Sequence, residues 1–114
     1  MNINFACKTI KIEELIKCSF SLTKTEYNVL IYLLKSNSLP ITKLSSKLKL
    51  ERTSIQKSIT NLMEKDLVTR KKIILEKGGY TFLYQSKNKN LIKKQIISLI
   101  ESWSKSAKKQ IRNL

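Results

Sequence analysis

The stretch Leu50–Arg70, LERTSIQKSITNLMEKDLVTR, carries two patterns at once. Ile55, Ile59, Leu62 and Met63 recur at helical spacing and fall within an arc of about 100°, which predicts an amphipathic helix over roughly residues 52–65. Opposite that arc lie Thr53, Lys57, Thr60, Asn61 and Glu64, with Ser54 and Gln56 towards its edges. One reading is an ordinary solvated face. The other is a face built to be read, because this set is rich in groups that hydrogen-bond to nucleic acid.

Before this helix, Thr23-Lys24-Thr25-Glu26 has the form of a capping box, so a helix starts here. From Tyr27 to Leu34 it is apolar nearly all round and is expected to be buried. Asn37 is the candidate left-handed stop. Thr42 is the expected N-cap of a short helix bearing Leu44 and Leu48, and Lys49-Leu50 makes a brief turn. Asp66 is expected in the left-handed region that Asp tolerates. Upstream, Ile10, Ile12, Leu15 and Ile16 predict a short amphipathic helix over residues 10–18.

Downstream the texture turns to β. Leu67–Leu75 and Tyr80–Tyr84 read as two strands around Glu76-Lys77-Gly78-Gly79, a turn that holds both glycines of the chain. Ser86–Asn90 reads as a polar link. From Leu91 a last helix of about 23 residues, roughly 35 Å long, is expected. The class is mainly α with a small β-hairpin. Three segments follow: residues 1–19, an N-terminal helix packing on the core or on a dimer interface; residues 20–86, a compact domain; and residues 87–114, a C-terminal helix.

Charge narrows the function. Twenty-three Lys and Arg against eight Asp and Glu give +15 over 114 residues, and the usual partners of such a surface are polyanions. Lysine outnumbers arginine 20 to 3, which an A/T-rich genome also produces, so charge alone supports DNA binding only in part. The basic excess is greatest in residues 87–114, with eight basic residues and one acidic. The chain has no histidine, no Gly-rich phosphate loop and no metal-ligand spacing, so neither an enzyme nor a metal or cofactor site is expected. Cys7 and Cys18 read as free thiols in a reducing cytoplasm, with redox sensing at Cys18 a lesser alternative. No apolar run reaches the ~18 residues of a membrane span.

Helix, short helix, turn, helix, hairpin is the order of a winged helix-turn-helix. Leu44-x3-Leu48-x-Leu50-x-Arg52-Thr53-Ser54-Ile55-x3-Ile59-x2-Leu62-x3-Asp66-Leu67-Val68, with Leu22-Thr23-x2-Glu26 ahead of it, resembles the core of MarR-type and TrmB-type transcriptional regulators. The resemblance covers about residues 20–86. It implies double-stranded DNA as partner and a homodimer formed through terminal helices. The chain departs from that pattern at Lys49 and Asp66, where Gly is frequent, and at Glu51, where Ser is frequent. Glu51 should cap less well than Ser and sets a negative charge close to the expected phosphates.

The expected function is therefore a sequence-specific DNA-binding transcriptional regulator. The N-terminal half of a recognition helix enters the major groove, which makes Thr53, Ser54, Gln56, Lys57 and Thr60 the candidate base readers. Gln suits adenine, Lys suits guanine acceptors, and Thr methyls suit thymine. Backbone candidates are Thr42, Lys43, Arg52, Arg70, Lys72 and Lys77, the last at the tip of a basic wing; strand lysines that merely guard a sheet edge are the plainer alternative. The stripe Ile92, Ile96, Leu99, Ile100, Trp103, Ala107 and Ile111 is the candidate dimer interface, unless the helix folds back on its own domain. Lys93, Lys94, Lys105, Lys108 and Lys109 lie on its outer face. An unidentified small-molecule effector bound near Tyr27, Tyr32 or Trp103 is a further expectation, against the reading of these aromatics as core. The rival functions are a sequence-tolerant protein that coats DNA, and a winged-helix module that binds protein.

Overall fold

The computed structural model describes all 114 residues. It begins with a hairpin, β1 (Asn2–Phe5) and β2 (Lys8–Lys11), followed by four helices: α1 (Ile12–Phe20), α2 (Lys24–Leu34), α3 (Ile41–Leu48) and α4 (Arg52–Glu64). A second hairpin, β3 (Val68–Ile74) and β4 (Tyr80–Ser86), precedes the long α5 (Lys89–Arg112). Five helices and two small antiparallel sheets give the mainly α class that the periodicities imply.

Twelve apolar residues form one core. Val29, Leu30 and Leu33 of α2 meet Leu44 of α3 and Ile55, Ile59 and Leu62 of α4, all essentially excluded from water. Leu67, Val68 and Tyr84 close it from the root of the second hairpin, and Ile92 from the start of α5. The arc predicted for α4 is therefore the arc that docks the helix. Leu39 adds a short third strand: its amide and carbonyl exchange bonds of 2.9 and 2.8 Å with those of Tyr84. That bridge pins the root of the hairpin beside the start of α3.

The turn between α3 and α4 is fixed by Lys49, in the left-handed region at φ 55°, and by Ser45, whose hydroxyl donates to the Leu50 carbonyl. Asp66 ends the turn after α4 in the same conformation, at φ 61°. These are the two positions at which the resemblance expects glycine, so the departure is one of residue type and not of backbone. A left-handed conformation costs a Cβ-bearing residue energy that glycine avoids. Lys49→Gly should accordingly raise stability by about 0.5–1 kcal/mol, less than the full steric cost because glycine also loosens the unfolded chain. A higher urea midpoint checks this; an unchanged or lower one contradicts it.

Several boundaries differ from expectation. Residues 10 and 11 belong to β2, and α1 starts at Ile12. The N-terminal hairpin has its own period of two, Ile3 and Phe5 against Asn2 and Asn4, and turns at Ala6-Cys7 without a glycine to mark it. Ala6 takes φ 50° there. The α3 N-cap is Pro40, not Thr42, which lies inside the first turn; Pro40 has no amide to leave unpaired, and the helix begins two residues earlier than expected. Asn37 is not left-handed, and α2 ends at Lys35 in the right-handed region. Ser86 extends β4, and Asn88 caps α5 by accepting from the Asn90 amide at 2.8 Å, so α5 starts two residues sooner.

Candidate nucleic-acid interface

On α4, Thr53, Ser54, Gln56, Lys57 and Thr60 are all exposed, while Ile55, Ser58, Ile59 and Leu62 are buried on the other side. The five candidate readers thus share one outward surface in the first nine residues of the helix. Thr60 is partly committed: its hydroxyl donates to the Gln56 carbonyl at 2.9 Å, and the Gln56 side-chain amide donates to the Thr60 hydroxyl oxygen at 3.5 Å. The Thr60 methyl and the rest of the Gln56 amide remain free for a ligand. Glu51 is the N-cap of α4 and makes no side-chain cap bond, as the weak-cap expectation has it. Arg52 is exposed at the first turn, beside Glu51.

Asn61 behaves otherwise. It turns inward and donates to Glu26 Oε2 at 2.8 Å. Glu26 is only 4% exposed and has two tasks. Its Oε1 accepts from the Thr23 amide at 3.0 Å while Thr23 Oγ1 accepts from the Glu26 amide at 3.1 Å, completing the capping box of α2. Its other oxygen holds α4. Burial pushes the Glu26 carboxyl up, but the Thr23 amide, the Asn61 amide and the Lys65 ammonium 3.6 Å away together outweigh it and hold the pKa below the usual carboxylate range. Lys65 also donates to the Ser21 carbonyl at 2.7 Å, tying the end of α1 to the end of α4. The sequence marks Glu26 only as a cap, and nothing in its spacing announces the second task.

Two open grooves flank α4. One, about 300 Å³, is lined only by polar and charged residues and runs between the start of α2 (Thr23, Thr25, Glu26) and Ser54, Lys57, Ser58 and Asn61. The other, about 260 Å³, lies between Gln56, the start of α3 (Pro40, Ile41, Thr42) and β4 of the hairpin (Tyr80, Thr81, Phe82, Tyr84). Thr42 and Gln56, a backbone candidate and a reader, therefore line one groove. Lys43 is exposed on α3, and Lys77 is exposed at the hairpin tip. The tip is closed by the Gly78 amide on the Leu75 carbonyl and the Leu75 amide on the Gly79 carbonyl, both at 3.1 Å. Gly78 and Gly79 sit at φ 93° and 78°, which is why the turn requires them.

Arg70 and Lys72 are not at the tip. Arg70 lies opposite Tyr84 and Lys72 opposite Phe82. Each stacks on an aromatic neighbour, Arg70 4.2 Å from the Phe82 ring centre and Lys72 4.2 Å from that of Tyr80.

α5 projects from the domain. Ile92 is buried in the protomer's own core and Ile96 packs beside it, whereas Leu99, Ile100, Trp103 and Ile111 are 46, 43, 67 and 67% exposed. Tyr27 and Tyr32 are half-buried against the core, remote in role from the exposed Trp103, and none of the three lines either groove. Cys7 and Cys18 are both exposed and unpaired. No helix is long and apolar enough to cross a membrane.

Residues 16–93 match the family described as sugar-specific transcriptional regulator TrmB. The uncharacterized protein MJ1503 of Methanocaldococcus jannaschii is 28% identical over 95% of this chain and 82% of its own length. A solved structure described as a possible transcriptional regulator from Methanosarcina mazei Go1 is 33% identical, covers 99% of this chain and 96% of its own, and superposes with a TM-score of 0.85. A MepR variant from S. aureus, solved bound to an oligodeoxyribonucleotide, shares the fold at a TM-score of 0.59 and 13% identity, over 87% of this chain and 72% of its own.

Proposed function

This chain belongs to the TrmB family of transcriptional regulators, and from that premise we propose that it reads duplex DNA as a homodimer, with α4 in the major groove and the β3–β4 wing on the adjacent backbone. The observation that carries this reading is the outward row Thr53, Ser54, Gln56, Lys57 and Thr60, held rigidly by a fully buried opposite face. Arg52, Thr42 and Lys43 flank that row and contact phosphates, and Lys77 reaches the backbone or minor groove beyond it. The DNA-bound MepR variant, with the same fold, supports this placement. Residues 20–86 form the DNA-binding unit, residues 1–19 pack on that unit or on the dimer interface, and residues 87–114 pair the subunits in the cytoplasm. Two copies joined through α5 set two α4 helices about 34 Å apart, one DNA turn, and select a pseudo-palindrome.

Selection from random duplex DNA at two salt concentrations tests the reading. An enriched palindrome agrees with it; salt-sensitive binding without a motif indicates a coating protein, and no binding indicates a protein-binding module. Lys77→Ala should weaken every sequence alike and flatten the salt dependence by about one unit in a log–log plot. A loss confined to one sequence would show that Lys77 reads bases instead.

A further inference from the structure

The wing carries a surface that phosphate binding alone does not explain. Cross-strand partners lie on the same face of a ribbon, so Val68, Arg70, Lys72 and Ile74 share one face with Ser86, Tyr84, Phe82 and Tyr80. At the root this face is buried through Val68 and Tyr84. Further out come the two cation–aromatic stacks, and Tyr80 and Phe82 pack edge to face at 5.5 Å between ring centres. At the far end Ile74 and Tyr80 are 80 and 57% exposed. The same aromatics form one wall of the groove whose other wall is Pro40, Ile41, Thr42 and Gln56.

The rings of Tyr80 and Phe82 wall this groove, Arg70 and Lys72 stack on those rings without lining the groove themselves, and Thr42 and Gln56 offer a hydroxyl and an amide across from them; such a surface matches a polymer that alternates anions with apolar rings. The sugar–phosphate strand is such a polymer. Arg70 and Lys72 are two residues apart on one strand, about 7 Å, which is on the order of one nucleotide step. At the tip Glu76 offsets the charge of Lys77, whereas Arg70 and Lys72 put two positive charges on this face. In the binding mode proposed above, the groove between the reader Gln56 and the wing lies on the path of a backbone passing from the major to the minor groove.

We infer that the Tyr80–Phe82 face of the wing is an apolar seat for deoxyribose. One strand lies in the groove with its sugars against Tyr80 and Phe82 and its phosphates at Arg70, Lys72 and Thr42. This rests on the DNA-binding mode proposed above. It adds a contact whose strength is independent of salt, because burying a sugar against a ring releases no counterion.

Hydroxyl-radical cleavage reports the exposure of individual sugars and tests the seat directly. On a duplex bearing the selected site, the native protein should protect a short run of sugars beside the α4 contact. Tyr80→Ala should expose that run alone and weaken selected and random duplexes equally, about five- to tenfold, as expected for one apolar side chain removed from a contact. Its salt dependence should be unchanged, since Lys72 keeps its charge. Tyr80→Phe should restore both protection and affinity. Tyr80 is largely exposed, so both variants should fold, which circular dichroism verifies. An unaltered footprint and affinity in Tyr80→Ala overturns the seat while leaving DNA reading intact; that is also the outcome if these aromatics serve a protein partner. A native protein that protects no sugar on any duplex overturns the DNA-binding mode and the seat together.

Discussion

Ile100→Asp combined with Trp103→Asp is expected to leave each protomer folded but to abolish the dimer, lowering affinity for a two-half-site duplex by about 100-fold or more. On α5, Ile92, Ile96, Leu99, Ile100, Trp103, Ala107 and Ile111 fall within an arc of about 120° at 100° per residue. The first two are held by the protomer's own domain, but the stripe runs on beyond it, and Trp103 and Ile111 are each 67% exposed. A row of large apolar side chains on an isolated helix is unfavourable in water, and a second copy offers an identical stripe to cover it. Neither substituted side chain contributes to the core, so the fold should survive. The large loss arises because one half-site must then be bound without the effective concentration that a joined partner provides. Light scattering at micromolar concentration and a titration of the full site measure the two effects. A native protein that is already monomeric, or a double variant that remains a dimer, contradicts the role given to α5.

Glu26→Ala is expected to cost about 1–3 kcal/mol of stability, because it deprives the Thr23 amide and the Asn61 side chain of the acceptor that both share. It also removes the polar tie between the start of α2 and Asn61 of α4 while leaving their apolar packing in place, so DNA affinity should fall modestly where the protein remains folded. Glu26→Gln keeps the shape but not the charge, and is expected to cost less. The pH dependence has a definite sign. The folded carboxyl titrates below the ordinary carboxylate value, so its contribution is complete above that value, near 4.3, and is lost as pH falls through the folded pKa. Unfolding of the native protein should therefore become easier with acid through this range, and Glu26→Gln should lack that component. Equal acid sensitivity in both proteins would show that Glu26 does not couple the helices through its charge.

The parts of the fold that were legible in the sequence are those in which local chemistry and tertiary packing agree. The capping box at Thr23 and Glu26 is present as read, and the Ile55–Ile59–Leu62 arc predicted the buried side of α4. The Gly78-Gly79 pair marked the wing turn. The N-terminal hairpin was missed because its turn uses Ala6 in a left-handed conformation, with no glycine or asparagine to signal it. Thr42 looked like a cap because its hydroxyl suits that place, yet Pro40 starts the helix.

Within the candidate site, the helical wheel ranked Asn61 with the outward polar residues, but a buried acceptor 35 residues earlier draws it inward. No periodicity along α4 encodes a bond to Glu26. Arg70 and Lys72 read from the sequence as backbone candidates on the wing, with nothing to say which face they occupy. The alternation Arg70-x-Lys72 against Tyr80-x-Phe82 contained the signal that they share a face with aromatics, but only a known register turns that signal into contacts.

The central claim is that the outward row of α4 distinguishes one DNA sequence from another. Its most direct test is the ratio of affinities for the selected duplex and for random duplex, measured at one salt concentration in the native protein and in Gln56→Ala. Loss of a bidentate base contact should reduce that ratio by about 1–3 kcal/mol, roughly 5- to 150-fold, with random-sequence affinity nearly unchanged. If Gln56→Ala weakens both duplexes by the same factor, or neither, α4 does not read bases through Gln56 in the manner proposed.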